Sequence, residues 1–123
     1  MFCSSCYQIC FIMNTYYSKL YYQHYNYSDI ICVGLCFFNG KITFINVKKE
    51  KMDFVKLLNK KGYELFEHSV ESFKNHYLEN GLDYENMKRT AIYHNNMFQM
   101  DEPKQIALLC NSENFNRYYE KFV

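Results

Sequence analysis

The chain has 123 residues, 49% of them hydrophobic and 20% aromatic, and a net charge of +1. That length suits one domain with a single core, and the composition excludes a disordered chain. A charge so close to zero excludes a global field that would drive the chain onto nucleic acid or a membrane.

The charge is nevertheless uneven. Residues 1–40 hold only Lys19 and Asp29. Residues 41–61 hold seven lysines against Glu50 and Asp53, a net +5. Residues 62–123 hold six basic and ten acidic side chains, a net −4. Tyr and Phe number 13 and 11 while Trp is absent, so many tyrosines must keep the ring packed and the hydroxyl wet.

The first twelve residues, MFCSSCYQICFI, are apolar but shorter than a membrane span. They lack the basic start and the cleavage site of a signal peptide. They are expected to be a loosely attached tail or a mis-started segment, with translation beginning at Met13. Residues 13–123 are then one α+β domain.

Thr15 to Tyr22 is rich in β-formers and predicts the first strand. Tyr16, Ser18, Leu20 and Tyr22 share one face, and Tyr17, Lys19 and Tyr21 the other. This strand is expected to offer Tyr17 and Tyr21 to a partner, or to pair as an edge with another chain. A homodimer is the simplest version.

Two apolar runs flank Asn39-Gly40 within Asp29 to Val47, which predicts a hairpin closed by a type I′ turn. The register expected opposes Phe38 to Lys41, Phe37 to Ile42 and Leu35 to Phe44. Val33, Leu35, Phe37, Ile42 and Phe44 then form the core face. Cys32, Gly34, Cys36, Phe38, Lys41, Thr43, Ile45 and Val47 form a mixed one.

Lys51 to Lys61 predicts a helix whose apolar stripe is Met52, Val55 and Leu58, widened by Phe54 and Leu57. Gly62 is its expected terminator. A second helix runs from about Tyr63 to Glu79, with Phe66, Val70, Phe73 and Tyr77 on one face and Asn80-Gly81 at its end. A short helix at 83–91 and an irregular stretch follow. Pro103 forces an extended approach to a short strand at Lys104 to Cys110. Asn111 or Ser112 caps a last helix bearing Phe115, Tyr118, Tyr119 and Phe122. The order β-β-β-α-α-(α)-β-α predicts an α+β fold, an antiparallel sheet of three to four strands with helices packed on one face.

No constellation of side chains marks an enzyme. The six cysteines include one CxxC, Cys3 to Cys6, and no second knuckle for zinc. Reduced thiols and a reducing cytoplasm are expected instead. His68 and His76 are eight apart on one helix, about 12 Å, too far to share a metal. No glycine-rich phosphate loop occurs. Asp83, Glu85, Asp101 and Glu102 could hold a nuclease metal, but they equally suit helix starts and loops. No cofactor, metal or catalytic residue is therefore expected. Lys48, Lys49, Lys51, Lys56, Lys60 and Lys61 are the candidate nucleic-acid contacts, and a solvated helix surface is the plainer account of them.

Two stretches together carry a resemblance. They are TYYSKLYY with SDIICVGLCFF (15–38) and NNMFQMDEPKQIALLCNSENFNRYYEKFV (95–123). The chain resembles the bacterial domain of unknown function family 3037, in which a Tyr-rich first strand precedes a Gly-Glu-x-x-Asn-x-Gly strand. Asn96, Gln99, Pro103, Lys104, Phe115, Tyr118 and Val123 fall on its closing pattern. Gly34 is kept, while Ser28, Asp29 and Cys32 replace the family's Gly, Glu and Asn. The resemblance implies no established activity. It implies a setting near HipA-like kinases and other defence, phage-conflict or toxin–antitoxin genes. It adds Asp29, Asn96 and Gln99 to Tyr17 and Tyr21 as candidate partner-binding residues. The expectation is a small non-enzymatic protein-interaction domain. The alternatives are nucleic-acid binding through Lys48–Lys61 and a metal-dependent nuclease.

Overall fold

The computed structural model describes residues 14–23, 30–92 and 97–123. Its strands are β1 (Thr15–Gln23), β2 (Ile30–Phe38), β3 (Thr43–Val47), β4 (Phe98–Met100) and β5 (Lys104–Ile106). Its helices are α1 (Lys49–Leu58), α2 (Tyr63–Asn80), α3 (Tyr84–Ile92) and α4 (Ser112–Phe122). The fold is α+β on one antiparallel sheet, as expected.

β1 is the centre of that sheet, not an edge. β2 lies on one side of it, and β4 and β5 lie end to end on the other. The expectation that β1 pairs as an edge with another chain therefore does not hold. Leu20 to Tyr22 pair with Met100 to Phe98, and Thr15 to Tyr17 pair with Ile106 to Lys104. Between these two ladders Ser18 and Lys19 face Asp101, Glu102 and Pro103, one residue too many. Pro103 has no N–H for a ladder, so the strand breaks there into two pieces.

The hairpin forms, but through a different turn. Phe38 pairs with Thr43 and Phe37 with Phe44, a register two residues away from the expected one. Asn39 N–H donates to the Ile42 carbonyl, which leaves Gly40 and Lys41 as the central residues. Only Gly40 has positive φ, at 90°, the pattern of a type II′ turn and not of I′. The Asn39 side chain decides this. Its oxygen accepts from the N–H groups of Lys41 at 2.9 Å and Ile42 at 2.7 Å, holding Asn39 before the turn. Ile42, expected in the core face, is exposed.

A shift of two residues leaves each side chain on its face, but a bulge does not. Leu20 pairs with Gly34 and Tyr21 with Cys32, so Val33 is extra on β2. The bulge turns Val33 into the core shared by Cys36, Phe38 and Ile45. It turns Cys32 to the opposite side, next to Tyr21. Cys32 and Cys36, expected on one face, therefore lie on opposite faces. Gly34 permits the approach, since a Cβ there would sit 2.5 Å from the Asn46 carbonyl and 2.7 Å from a Val47 methyl.

Both faces of the sheet are covered. The larger core joins Leu20, Tyr22, Val33, Cys36, Phe38 and Ile45 to Met52 and Val55 of α1, Phe66, Val70 and Phe73 of α2, and Met87 of α3. The Tyr22 and Phe66 rings meet edge to face at 5.0 Å, and Phe73 meets Phe98 at 5.7 Å. On the other face α4 packs Phe115 against Phe37 at 6.1 Å and against Phe44 at 5.4 Å. Leu35, Phe37, Cys110 and Phe115 form that second, smaller core. Asn111 caps α4, its side chain accepting from Asn114 N–H at 2.8 Å.

Candidate functional site

Two surfaces gather the residues singled out in the sequence. The first is a polar row on the sheet face that α4 only partly covers. Cys32, Tyr21 and Gln99 pair side by side across β2, β1 and β4. Asp101 and Lys19 extend the row at the broken edge. The Tyr21 hydroxyl donates to the Asp101 carboxylate at 3.1 Å, and the Lys19 amine lies 3.9 Å from the same oxygen. Asp101 N–H donates to the Lys19 carbonyl, and the Ser18 hydroxyl donates to the Asp101 carbonyl. Lys19 also stands 4.9 Å over the Phe122 ring.

Burial first, then the Asp101 charge and its hydrogen bond, push the Tyr21 hydroxyl well above its ordinary range. Burial likewise raises the Cys32 thiol, opposed by a hydrogen bond with the Gly34 backbone and by the charges of Lys19 and Lys51. A raised thiol is a weak nucleophile. Tyr17 sits beside the row but is covered. Its ring stacks on Phe122 at 5.6 Å and meets Tyr118 edge-on at 5.3 Å. Tyr17 and Tyr21 are thus half-buried parts of the second face, and Gln99 lies beside them. Asp29 and Asn96 lie outside the described residues.

The second surface is α1. Its inward side buries Met52 and Val55 only. Phe54, Leu57 and Leu58, expected to widen the buried stripe, face outward with 48%, 72% and 46% exposure. The helix also ends earlier than expected, at Leu58. The Asn59 side chain accepts from Gly62 N–H at 2.9 Å, which turns the chain out of the helix. Gly62 is the residue before α2, not a terminator of α1.

The lysines frame this apolar side. Lys49, Lys56, Lys60 and Lys61 are exposed, while Lys48 and Lys51 are half-buried. Lys51 donates to the Cys32 carbonyl at 3.4 Å, and Lys56 stands 5.7 Å over the Tyr63 ring. The six amines therefore do not form one continuous basic strip. They divide between the two flanks of α1 and its C-terminal end.

The acidic pairs have local duties. The Asp83 carboxylate accepts from Asn86 N–H at 2.8 Å and caps α3. Asp101 belongs to the network above, and Glu102 lines a cleft of about 350 Å³ with Lys88, Ala91 and Met100. Among the described residues no three His, Cys, Asp or Glu side chains are grouped to hold a metal. No helix among them is long and apolar enough to cross a membrane.

The outward apolar side of α1 was missed in the sequence because Phe54 and Leu57 fit the same helical period as the core. The available signal was the width of the stripe. Five apolar residues in seven positions from Met52 to Leu58 are more than one buried face of a ten-residue helix accommodates.

No family model, curated protein or solved structure matches the chain. The resemblance to family 3037 rests on its motif residues alone.

Proposed function

We propose that the chain is a small non-enzymatic protein-interaction domain whose contact surface is the outward side of α1. The observation that carries this is the exposure of Phe54, Leu57 and Leu58 together on one side of a helix whose other side is buried. Their i, i+3, i+4 spacing is the set of anchors used when a helix meets an apolar partner. Apolar side chains gathered in one patch mark interaction sites far more often than scattered ones do. The satisfied polar row on the opposite face supports the same reading, because its groups are spent on one another. The resemblance to family 3037 supports a setting among bacterial defence or toxin–antitoxin genes. The unpaired thiols of Cys32, Cys36 and Cys110 fit a reducing cytoplasm.

The test is photo-crosslinking in the native host from an unnatural residue at position 57, with the exposed position 85 as control. A discrete adduct to a second protein at 57, absent at 85, is the expected result. Equal labelling at both positions, or none at 57, overturns the reading.

A further inference from the structure

We infer that the cleft between α3 and the broken edge of the sheet binds a small zwitterion with an apolar side chain, the chemistry of a free α-amino acid. Its volume of about 350 Å³ lies at the lower end of small-ligand sites. Lys88 and Ala91, three apart on α3, line it from the helix, and Met100 and Glu102 line it from the sheet. The break at Pro103 sends two successive carboxylates to opposite sides. Asp101 turns to Tyr21 on one face, and Glu102 turns to the cleft on the other. Among the described residues neither Lys88 nor Glu102 makes an ion pair. The Lys88 amine stands 5.8 Å over the Tyr84 ring, which packs on Tyr16 at 5.0 Å. That contact orients the amine and leaves its charge uncompensated. The rest of the lining is Ala91 and the buried Met100. Asp101 N–H donates to the Lys19 carbonyl, and bonded pairs alternate along an antiparallel ladder. The Met100 N–H and carbonyl therefore turn away from β1, to the outer margin.

One charge of each sign, each from a different element, selects the occupant. A simple anion would pair with Lys88 and be repelled by Glu102. A simple cation would do the reverse. An uncharged apolar molecule would strip water from both charges and replace none of it. A zwitterion answers both at once, with its carboxylate on Lys88, its ammonium on Glu102 and its side chain on Met100 and Ala91.

The experiment titrates the full chain, labelled with nitrogen-15, with leucine, leucinamide, N-acetylleucine and glycine at neutral pH, and reads amide chemical shifts. Leucine is expected to give saturable shifts at Ala91 and Met100, at least about tenfold tighter than leucinamide or N-acetylleucine, each of which keeps one charge. Glycine should bind at least about tenfold more weakly than leucine, because it has no side chain to bury. Lys88 and Glu102 are exposed, so Lys88→Gln and Glu102→Gln should leave the melting temperature unchanged. Lys88→Gln should cancel the advantage of leucine over leucinamide, and Glu102→Gln its advantage over N-acetylleucine. N-acetylleucine binding as tightly as leucine makes the cleft an anion site and overturns the proposal. Leucinamide binding as tightly makes it a cation site and does the same. Glycine binding as tightly overturns the apolar contact. The absence of any saturable shift overturns the whole, as does a preference for leucine that survives both substitutions.

Discussion

The Tyr21 hydroxyl and the Asp101 carboxylate meet at 3.1 Å, joining the middle strand of the sheet to the corner where its edge breaks. Among the described residues, Asp101 otherwise makes backbone bonds with Lys19 and Ser18 and is approached at 3.9 Å by the Lys19 amine. Tyr21→Phe should therefore destabilise the fold by about 1 kcal/mol. The figure sits at the low end for a bond to a charged group because the Asp101 side chain keeps 29% of its exposure. Urea unfolding of the two proteins measures it, and an unchanged midpoint would show that the corner does not need the bond.

The same bond sets a response to alkali. Burial raises the Tyr21 hydroxyl first, and burial with the Glu67 hydrogen bond raises Tyr63 to about 12. Both folded values lie above the unfolded value of about 10. Below pH 10 both rings are neutral in either state and their contribution is whole. Above it the unfolded chain ionises first, so stability should fall as pH rises from about 10 towards 12. Unfolding midpoints from pH 8 to 12 should show this loss, and a shallower one in Tyr63→Phe. Parallel curves for the two proteins would contradict it.

Gly34 is a packing requirement. Its missing side chain is where the Asn46 carbonyl and the Val47 methyl come closest to β2. Gly34→Ala should cost about 1–3 kcal/mol, because backbone must move to admit the methyl group. Gly81→Ala is opposed differently, since nothing lies within 4 Å of a Cβ there and only the backbone resists, its φ of 85° and ψ of 151° being essentially confined to glycine, at about 1–3 kcal/mol. Thermal unfolding measures the Gly34→Ala loss, and an unchanged melting temperature would deny the close approach.

The two sides of α1 should respond oppositely to one change. Val55 is fully buried and Leu57 is 72% exposed. Val55→Asp places a carboxylate in the larger core and should unfold the domain or cost it more than about 3 kcal/mol. Leu57→Asp should stay within about 0.5 kcal/mol of the parent. Circular dichroism melts check both. A large loss in Leu57→Asp would mean that this side is covered within the chain.

Phe115 belongs to a core of its own. It is one of four buried residues that tie α4 to the sheet. Phe115→Ala should cost about 3 kcal/mol or more. Hydrogen exchange should rise in α4 and at Leu35 and Phe37 before it rises in α2. A uniform rise would show that the two cores unfold together.

Most of the architecture was legible in the chain, since periodicity marks helices and alternation marks strands. Phe66, Val70 and Phe73 lie buried on α2 as their spacing required. The alternation of β1 survives as well. What escaped was set by single residues acting at short range. The Asn39 side chain moved the turn by one residue, and the extra Val33 exchanged Cys32 and Val33 between faces. Neither event leaves a periodic trace. Of the candidate partner residues, Tyr17, Tyr21 and Gln99 do come together, but on the face that α4 and Asp101 occupy. The apolar side of α1 was hidden because an exposed Leu and a buried one are the same letter. Only the crowding of five apolar residues into seven positions pointed to it.

The interruption at Pro103 has a bearing on how the protein behaves when crowded. A sheet margin with a long row of free amides and carbonyls recruits other chains and grows into fibres. Here the strand beside β1 is split into two three-residue pieces, β4 and β5, set one residue out of phase. A strand in register with one piece is out of register with the other. The opposite margin, β3, is five residues long. The kink that anchors Asp101 thus also guards against runaway stacking, and straightening it by Pro103→Val should raise the rate of thioflavin-positive aggregation without a comparable fall in melting temperature.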